Sequence, residues 1–503
     1  MSLKSNIAAN SVSQVYTTLI GIALVPFFFE YMGSEAYGLV GFFAMLQTWF
    51  NLLDLGLTPT IARESARYHG GAMSAVEYRR LFQSLSIVFI CIALIGGAIL
   101  FLEAGPISKN WLNAKVLAPA TILVSVRIMA VCVALRWVGG LYRGVITGAE
   151  RLVWLSGFNA TIATLRFGGV FVVMSIWGYT PHVFFWYQLA VAALELGVLK
   201  LKCHFLLAGT RYLDEPIDWS FEPILPLMRF SLTIAFTSSV WVLVTQTDKL
   251  VLSGILPLAQ YGYFTLAVLV AGGITMVTAP VSTALLPRLA RLHAEGNHYE
   301  VRRLYNQASQ LVSVIAGSLA VTLAVCSKSL LFTWTGSLEI SESAAPILRL
   351  YAVGNGLLAL SAFPFYLQYA RGNLHYHVIG NAVMMVVLIP AIIVAAIKNG
   401  GIGAGWVWVV MNGLYLAVWV SYVHSKLEPG LHLKWLIRNV LAILIPTLLV
   451  GLLFGLTQPD LVESRVVELF HTAIVAISCL LVAILASPVV RSAVPRVLRS
   501  VAR

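Results

Sequence analysis

About fourteen apolar stretches, each long enough to cross a bilayer, follow one another along this chain, and the polar gaps between them reach only about thirty residues. In hydrocarbon such stretches can satisfy their backbone groups only by coiling into helices that close their own hydrogen bonds. The expected fold class is therefore an all-α integral membrane protein with about 14 transmembrane helices. The expected spans are 7–30, 36–60, 81–104, 118–141, 154–176, 182–200, 230–252, 258–286, 307–330, 345–370, 377–397, 403–424, 439–457 and 469–488. Composition excludes a soluble globule. Hydrophobic residues make up 59% of the chain and charged residues 11%, whereas soluble domains carry about 25% charged residues.

The opening stretch is apolar for longer than a signal-peptide core and has no clear small-residue cleavage site before Glu30, so it reads as a retained first helix, with the mature chain beginning near Met1. The cysteines Cys91, Cys132, Cys203, Cys326 and Cys479 fall in or beside different spans with no CxxC pair. That spacing suggests packing residues rather than a disulfide framework or a zinc site.

Basic residues divide unequally between the two sets of loops. With the N-terminus in the cytoplasm, 23 Lys and Arg side chains fall on that side. The opposite side holds five: Lys109, Lys115, Lys328, Lys398 and Arg465. The positive-inside rule then places both termini in the cytoplasm. The net charge of +12 is spread over short loops with no room for a nucleic-acid domain, so it signals topology and contact with anionic membrane lipids.

The chain also carries signs of duplication. Tyr37-Gly38 and Tyr261-Gly262 each open a span that exits into a basic loop, at an offset of 224 residues. Arg143-Gly144 and Arg371-Gly372 follow the fourth and tenth spans at an offset of 228. An even number of helices per copy gives both copies one orientation, hence two six-helix bundles in parallel pseudo-repeat plus a C-terminal two-helix hairpin. The expected division is an N-terminal lobe at 1–205, a cytoplasmic linker at 206–229, a C-terminal lobe at 230–425, and the last two helices with a basic tail at 426–503.

Ionisable residues inside the spans need a reason, since a charge at mid-membrane costs about 2.5–3.5 kcal/mol on insertion scales. Arg127 in span 4 and Arg166 in span 5 lie near the midplane, while Arg136 and Arg349 sit close enough to span ends to snorkel. Arg127 and Arg136 are nine residues apart and so on opposite helix faces. Arg127 and Arg166 are the expected pair facing a lumen. The alternative is that the arginines are neutralised within the first lobe by Glu195 or Asp54. In span 7, Gln246, Asp248 and Lys249 are further polar candidates; Asp248 and Lys249 point about 100° apart and are not expected to form a face-to-face ion pair. No nucleotide loop, metal-ligand spacing or nucleophile elbow stands out, so no catalytic residue, cofactor or metal is expected.

Taken in order, Leu53-Asp54-Leu55-Gly56-Leu57, Gln246-Thr247-Asp248-Lys249, Tyr261-Gly262-Tyr263, Leu286-Pro287-Arg288-Leu289 and Ala370-Arg371-Gly372-Asn373 make the chain resemble the polysaccharide-transport branch of the multidrug/oligosaccharidyl-lipid/polysaccharide (MOP) exporter superfamily, which includes the Wzx-type O-antigen flippases of bacterial inner membranes. The resemblance covers essentially the whole chain. It implies two six-helix bundles around a V-shaped cavity, and the flipping of a polyprenyl diphosphate-linked oligosaccharide by alternating access for O-antigen, capsule or exopolysaccharide assembly. It also implies a polysaccharide polymerase and chain-length machinery as partners. A diphosphate head calls for cationic groups to replace its water, a role Arg127 and Arg166 could fill. A multidrug or cation exporter of the same superfamily would instead keep acidic residues in its cavity. A membrane enzyme of the same pathway would need a sizeable catalytic loop, and the longest candidate, 201–229, carries Asp214, Glu215, Asp218 and Glu222 loosely spaced.

Overall fold

A computed structural model describes residues 3–207, 222–456 and 464–493. The acidic Asp214, Glu215 and Asp218, the central part of the expected linker, and the tail residues Arg496, Arg499 and Arg503 lie outside the described residues. Among the described residues all regular elements are helices, with one isolated bridge between Asn113 and Pro257.

The chain divides into two compact units, Met1–Gly262 and Tyr263–Arg503. The first holds α1 (Leu3–Ala23), α2 (Val25–Met32), α3 (Ser34–Phe50), α4 (Leu57–His69), α5 (Ala75–Leu102) and the short α6 (Ala104–Pro106). It continues with α7 (Pro119–Gly148), α8 (Leu152–Ala163), α9 (Val170–Trp177), α10 (Pro181–His204) and α11 (Leu225–Ile255). Helix α12 (Leu258–Ala294) begins in the first unit and runs into the second. The second unit adds α13 (His298–Val325), α14 (Ser327–Thr335), α15 (Leu338–Ser361), α16 (Phe363–Ala370), α17 (His375–Leu414) and α18 (Val420–Leu427). Last come α19 (Leu431–Trp435), α20 (Ala442–Leu456) and α21 (Arg465–Ala486).

Twelve of these helical segments are long and apolar enough to span a membrane, which differs from the expected count of about 14. One of the twelve runs from His375 to Leu427 and takes in two expected spans. Its backbone leaves helical geometry at Asn399 and Gly400, where Gly400 takes a φ of 55° that favours glycine. The expected span 230–252 falls in α11, which is not among the twelve and whose run Thr245–Lys249 is polar. The large apolar side chains on helix surfaces, such as Leu94 and Leu102 on α5 and Leu449 and Leu453 on α20, would be a liability in water and suit lipid.

Local chemistry explains where helices start and how close they come. Between α3 and α4 the chain turns through left-handed Leu55 (φ 48°) and Gly56 (φ 72°). Asp54, two residues before the N-cap Gly56, accepts from the Thr58 amide in the first turn of α4 at 3.2 and 3.3 Å and from its hydroxyl at 2.5 Å. Helix α7 lies on α4 through Gly140, Gly144 and Gly148, a small residue every fourth position that permits close approach. A Cβ added at Gly148 would collide with the Ala62 carbonyl and meet Ser65 Cβ at 2.6 Å. Gly148→Ala is therefore expected to destabilise the first unit by about 1–3 kcal/mol, seen as a lowered melting temperature of the detergent-purified protein. The two Tyr-Gly landmarks also meet, since a Cβ at Gly262 would lie 3.2 Å from the Gly38 amide nitrogen.

Helix α11 belongs to the first unit, so the compact division falls one helix later than the expected six-plus-six boundary. Its contacts explain why. Thr60 on α4 hydrogen-bonds Ser231 at 2.8 Å, and Trp111 donates to Ser253 at 2.9 Å. In the second unit the two final long helices are tied to α13 through Gln310, which donates to Asn439 at 3.0 Å and accepts from Ser487 at 2.8 Å.

Candidate functional site: a half-buried arginine ladder

Helices α7 and α10 face each other with polar residues repeated every seventh position, Arg136 and Arg143 on α7 against Gln188 and Glu195 on α10. Seven residues bring a helix back to within about 20° of the same face. The partners are offset by 52 in both rungs, so the two helices run in register and stack two polar rungs inside the first unit. In one rung, Arg136 donates to Gln188 Oε1 at 2.9 Å and to Gln47 Oε1 on α3 at 2.7 Å. In the other, Arg143 donates to both Glu195 and Asn159 of α8.

A π-helical turn at Thr164–Gly169, between α8 and α9, delivers the third guanidinium. The extra residue of a π turn redirects side chains and frees carbonyls, and such turns are frequent at functional sites. Here Tyr187 donates to the Leu165 carbonyl and Gln188 Nε2 to the Arg166 carbonyl, both at 2.9 Å. Gly169 leaves room for the Tyr187 hydroxyl. Arg166 Nη2 then reaches the same Gln47 oxygen that Arg136 uses, at 3.2 Å. Both guanidinium groups also lie against rings, Arg136 over Phe43 at 5.1 Å and Arg166 over Phe167 at 5.8 Å.

The electrostatics follow directly. Two cations share one neutral amide oxygen, and among the described residues no carboxylate lies within 4.0 Å of either. The Nε groups of Arg136 and Arg166 are buried and donate to no described residue. Glu195, 6% exposed, is engaged by Arg143, and Asp54 by Thr58. The ladder thus keeps a surplus of positive charge with unspent donors, which attracts an anion and repels a cation.

Several expected placements change. Arg127 is exposed and stacks over Phe101 at 5.1 Å; it is not brought to Arg166. The regular turn of α7 sends residues nine apart to opposite faces, and Arg136 takes the inward one. Arg349 is exposed, donating to the Ala324 carbonyl at 3.1 Å. Lys249 Nζ approaches Asp248 at 3.3 Å and the Thr245 carbonyl at 2.7 Å, against the expectation that the two would not pair, because a long lysine stem can bend back along its own helix. Gln246 is half-buried on the same helix. Arg143, Gln47, Gln188 and Asn159 escaped the sequence reading; the signal that could have found them was the seven-residue repeat of polar groups in two spans.

Residues 3–293 match the family model described as "Polysaccharide biosynthesis protein". The chain belongs to that polysaccharide biosynthesis family. The chain is 20% identical over 424 residues to a Shigella flexneri protein described as a candidate O-antigen transporter, covering 83% of this chain and 97% of that protein. Its fold is similar to that of the lipid II flippase MurJ in an inward closed conformation, with a TM-score of 0.71, 15% identity and 100% of both chains covered. It is also similar to an inward-facing multidrug resistance MATE transporter of the MOP superfamily, at a TM-score of 0.61 and 15% identity over 84% of this chain and 99% of that one. This family member therefore has the all-helical fold of MOP-superfamily transporters.

Proposed function

We propose that the protein moves a polyprenyl diphosphate-linked oligosaccharide across the bacterial inner membrane by alternating access, supplying O-antigen, capsule or exopolysaccharide assembly, with both termini in the cytoplasm. It acts as a transporter rather than an enzyme. The observation that carries this reading is the pair Arg136 and Arg166, two guanidinium groups sharing one neutral oxygen with no described carboxylate within 4.0 Å of either. A diphosphate loses its hydration on crossing hydrocarbon, and planar guanidinium forks replace that water with bidentate, charge-assisted contacts. The family match and the similarity to a lipid II flippase and to a candidate O-antigen transporter support a cargo of this class. A cation exporter would need acidic groups placed to receive its cargo, and in the first unit Arg143 stands against Glu195 and Thr58 holds Asp54.

Reconstitution tests the cargo. Proteoliposomes containing the purified protein and a fluorescent polyprenyl diphosphate-linked oligosaccharide are expected to expose the sugar on the opposite leaflet far faster than protein-free vesicles, while a lipophilic organic cation is not moved. Efflux of the cation with no movement of the lipid-linked sugar would sink the proposal.

A further inference from the structure

A separate cavity of about 420 Å³ opens between α5, α7 and α10 of the first unit, and none of Arg136, Arg143 and Arg166 lines it. Helix α10 supplies Gly197, Lys200, Leu201 and His204, spaced i, i+3, i+4 and i+7 and so sharing one face. Helix α5 supplies Arg79 and Phe82, three residues apart, and α7 supplies Tyr142. Among the described residues the lining contains no carboxylate. Arg79 Nε is buried and donates to no described residue, so the wall holds a cationic donor with no acceptor among the described residues. Lys200 and His204 are exposed on the rim, and Phe82 and Leu201 provide apolar wall beside them. At Gly197 a Cβ would meet nothing within 4 Å, so the missing side chain keeps the cavity open.

We propose that this cavity binds the phosphate headgroup of an anionic glycerophospholipid, with its first acyl methylenes lying on Phe82 and Leu201. Charge complementarity selects the headgroup. Cationic Arg79 and Lys200 and the Tyr142 hydroxyl offer donors to a phosphate diester, and a basic pocket between membrane helices is where acidic lipid heads settle. A zwitterionic lipid brings its own cation and gains little from the same walls.

Native mass spectrometry of the intact purified protein, titrated with phosphatidylglycerol or phosphatidylcholine, tests the site. Arg79→Gln and Lys200→Gln are each expected to weaken phosphatidylglycerol binding about fivefold, the effect of one cation near a lipid surface. Gly197→Leu, which fills the cavity without altering charge, is expected to remove the tightest phosphatidylglycerol adduct, and phosphatidylcholine binding should not change in any of the three. Arg291→Gln, at a basic residue paired with Glu295, serves as the control and should bind like the parent. Unchanged phosphatidylglycerol binding in Gly197→Leu and Arg79→Gln would overturn the assignment. So would displacement of the bound lipid by a polyprenyl phosphate but not by phosphatidylglycerol, which would hand the cavity to the carrier lipid instead.

Discussion

Replacing Arg136 or Arg166 with glutamine is expected to cut delivery of lipid-linked oligosaccharide about tenfold to a hundredfold at normal protein abundance. The size follows from losing one hydrogen-bonded charge to an anionic cargo, about 1.5–3 kcal/mol, where each 1.4 kcal/mol is about a factor of ten. The fold should not suffer. Each arginine already leaves a buried Nε unpaired, and the two share one acceptor, so removing one relieves repulsion between like charges. Lysine at either position should restore only part of the activity, because a point charge cannot bridge two phosphate oxygens as a planar fork does. Surface polysaccharide measured in a host that depends on this protein, alongside quantification of the protein in its membranes, checks both variants. Full polymer output from Arg136→Gln and Arg166→Gln would take the ladder out of the mechanism.

The second rung is expected to behave in the opposite way. Glu195→Leu strands Arg143 beside Asn159 with no counter-charge, and breaking one side of a buried pair destabilises a protein by about 3–5 kcal/mol. The Arg143 side chain is 28% exposed against 7% for Glu195, so the effect should fall near the lower end of that range. Arg143→Met combined with Glu195→Leu should recover most of the loss, since an apolar pair of similar volume replaces an ion pair at little net cost. The melting temperatures of the parent, the two single variants and the double variant close a cycle that isolates the interaction. Equal melting of parent and Glu195→Leu would show that the rung holds nothing together. Stability and transport are thus expected to separate along α7, with Arg143→Met lowering the first and Arg136→Gln the second.

Much of the fold was legible in the sequence because hydrophobic length is a coarse, redundant signal. The break near Asn399 and Gly400 and the polar run in α11 made the helix count uncertain, not the fold class. The site was harder to read. Counting residues into a span places Arg166 far from either span end and sets Arg127 and Arg136 on opposite faces, but depth alone cannot say which face turns inward. That choice depends on Gln188 and Gln47 on neighbouring helices and on a π turn, which has no signature in residue spacing. Glu195 pairs not with an arginine counted inside a span but with Arg143, which the span boundaries place in a cytoplasmic loop. Asp54 looked like a misplaced charge and proved to hold the Thr58 amide and hydroxyl in the first turn of α4.

The most direct test of a cationic cargo site is equilibrium binding of a polyprenyl diphosphate and of the uncharged polyprenol to the purified protein, beside a variant carrying both Arg136→Gln and Arg166→Gln. The diphosphate should bind the parent far more tightly than the alcohol does, and the double substitution should erase most of that preference. Equal affinity of parent and double variant for the diphosphate would contradict the account.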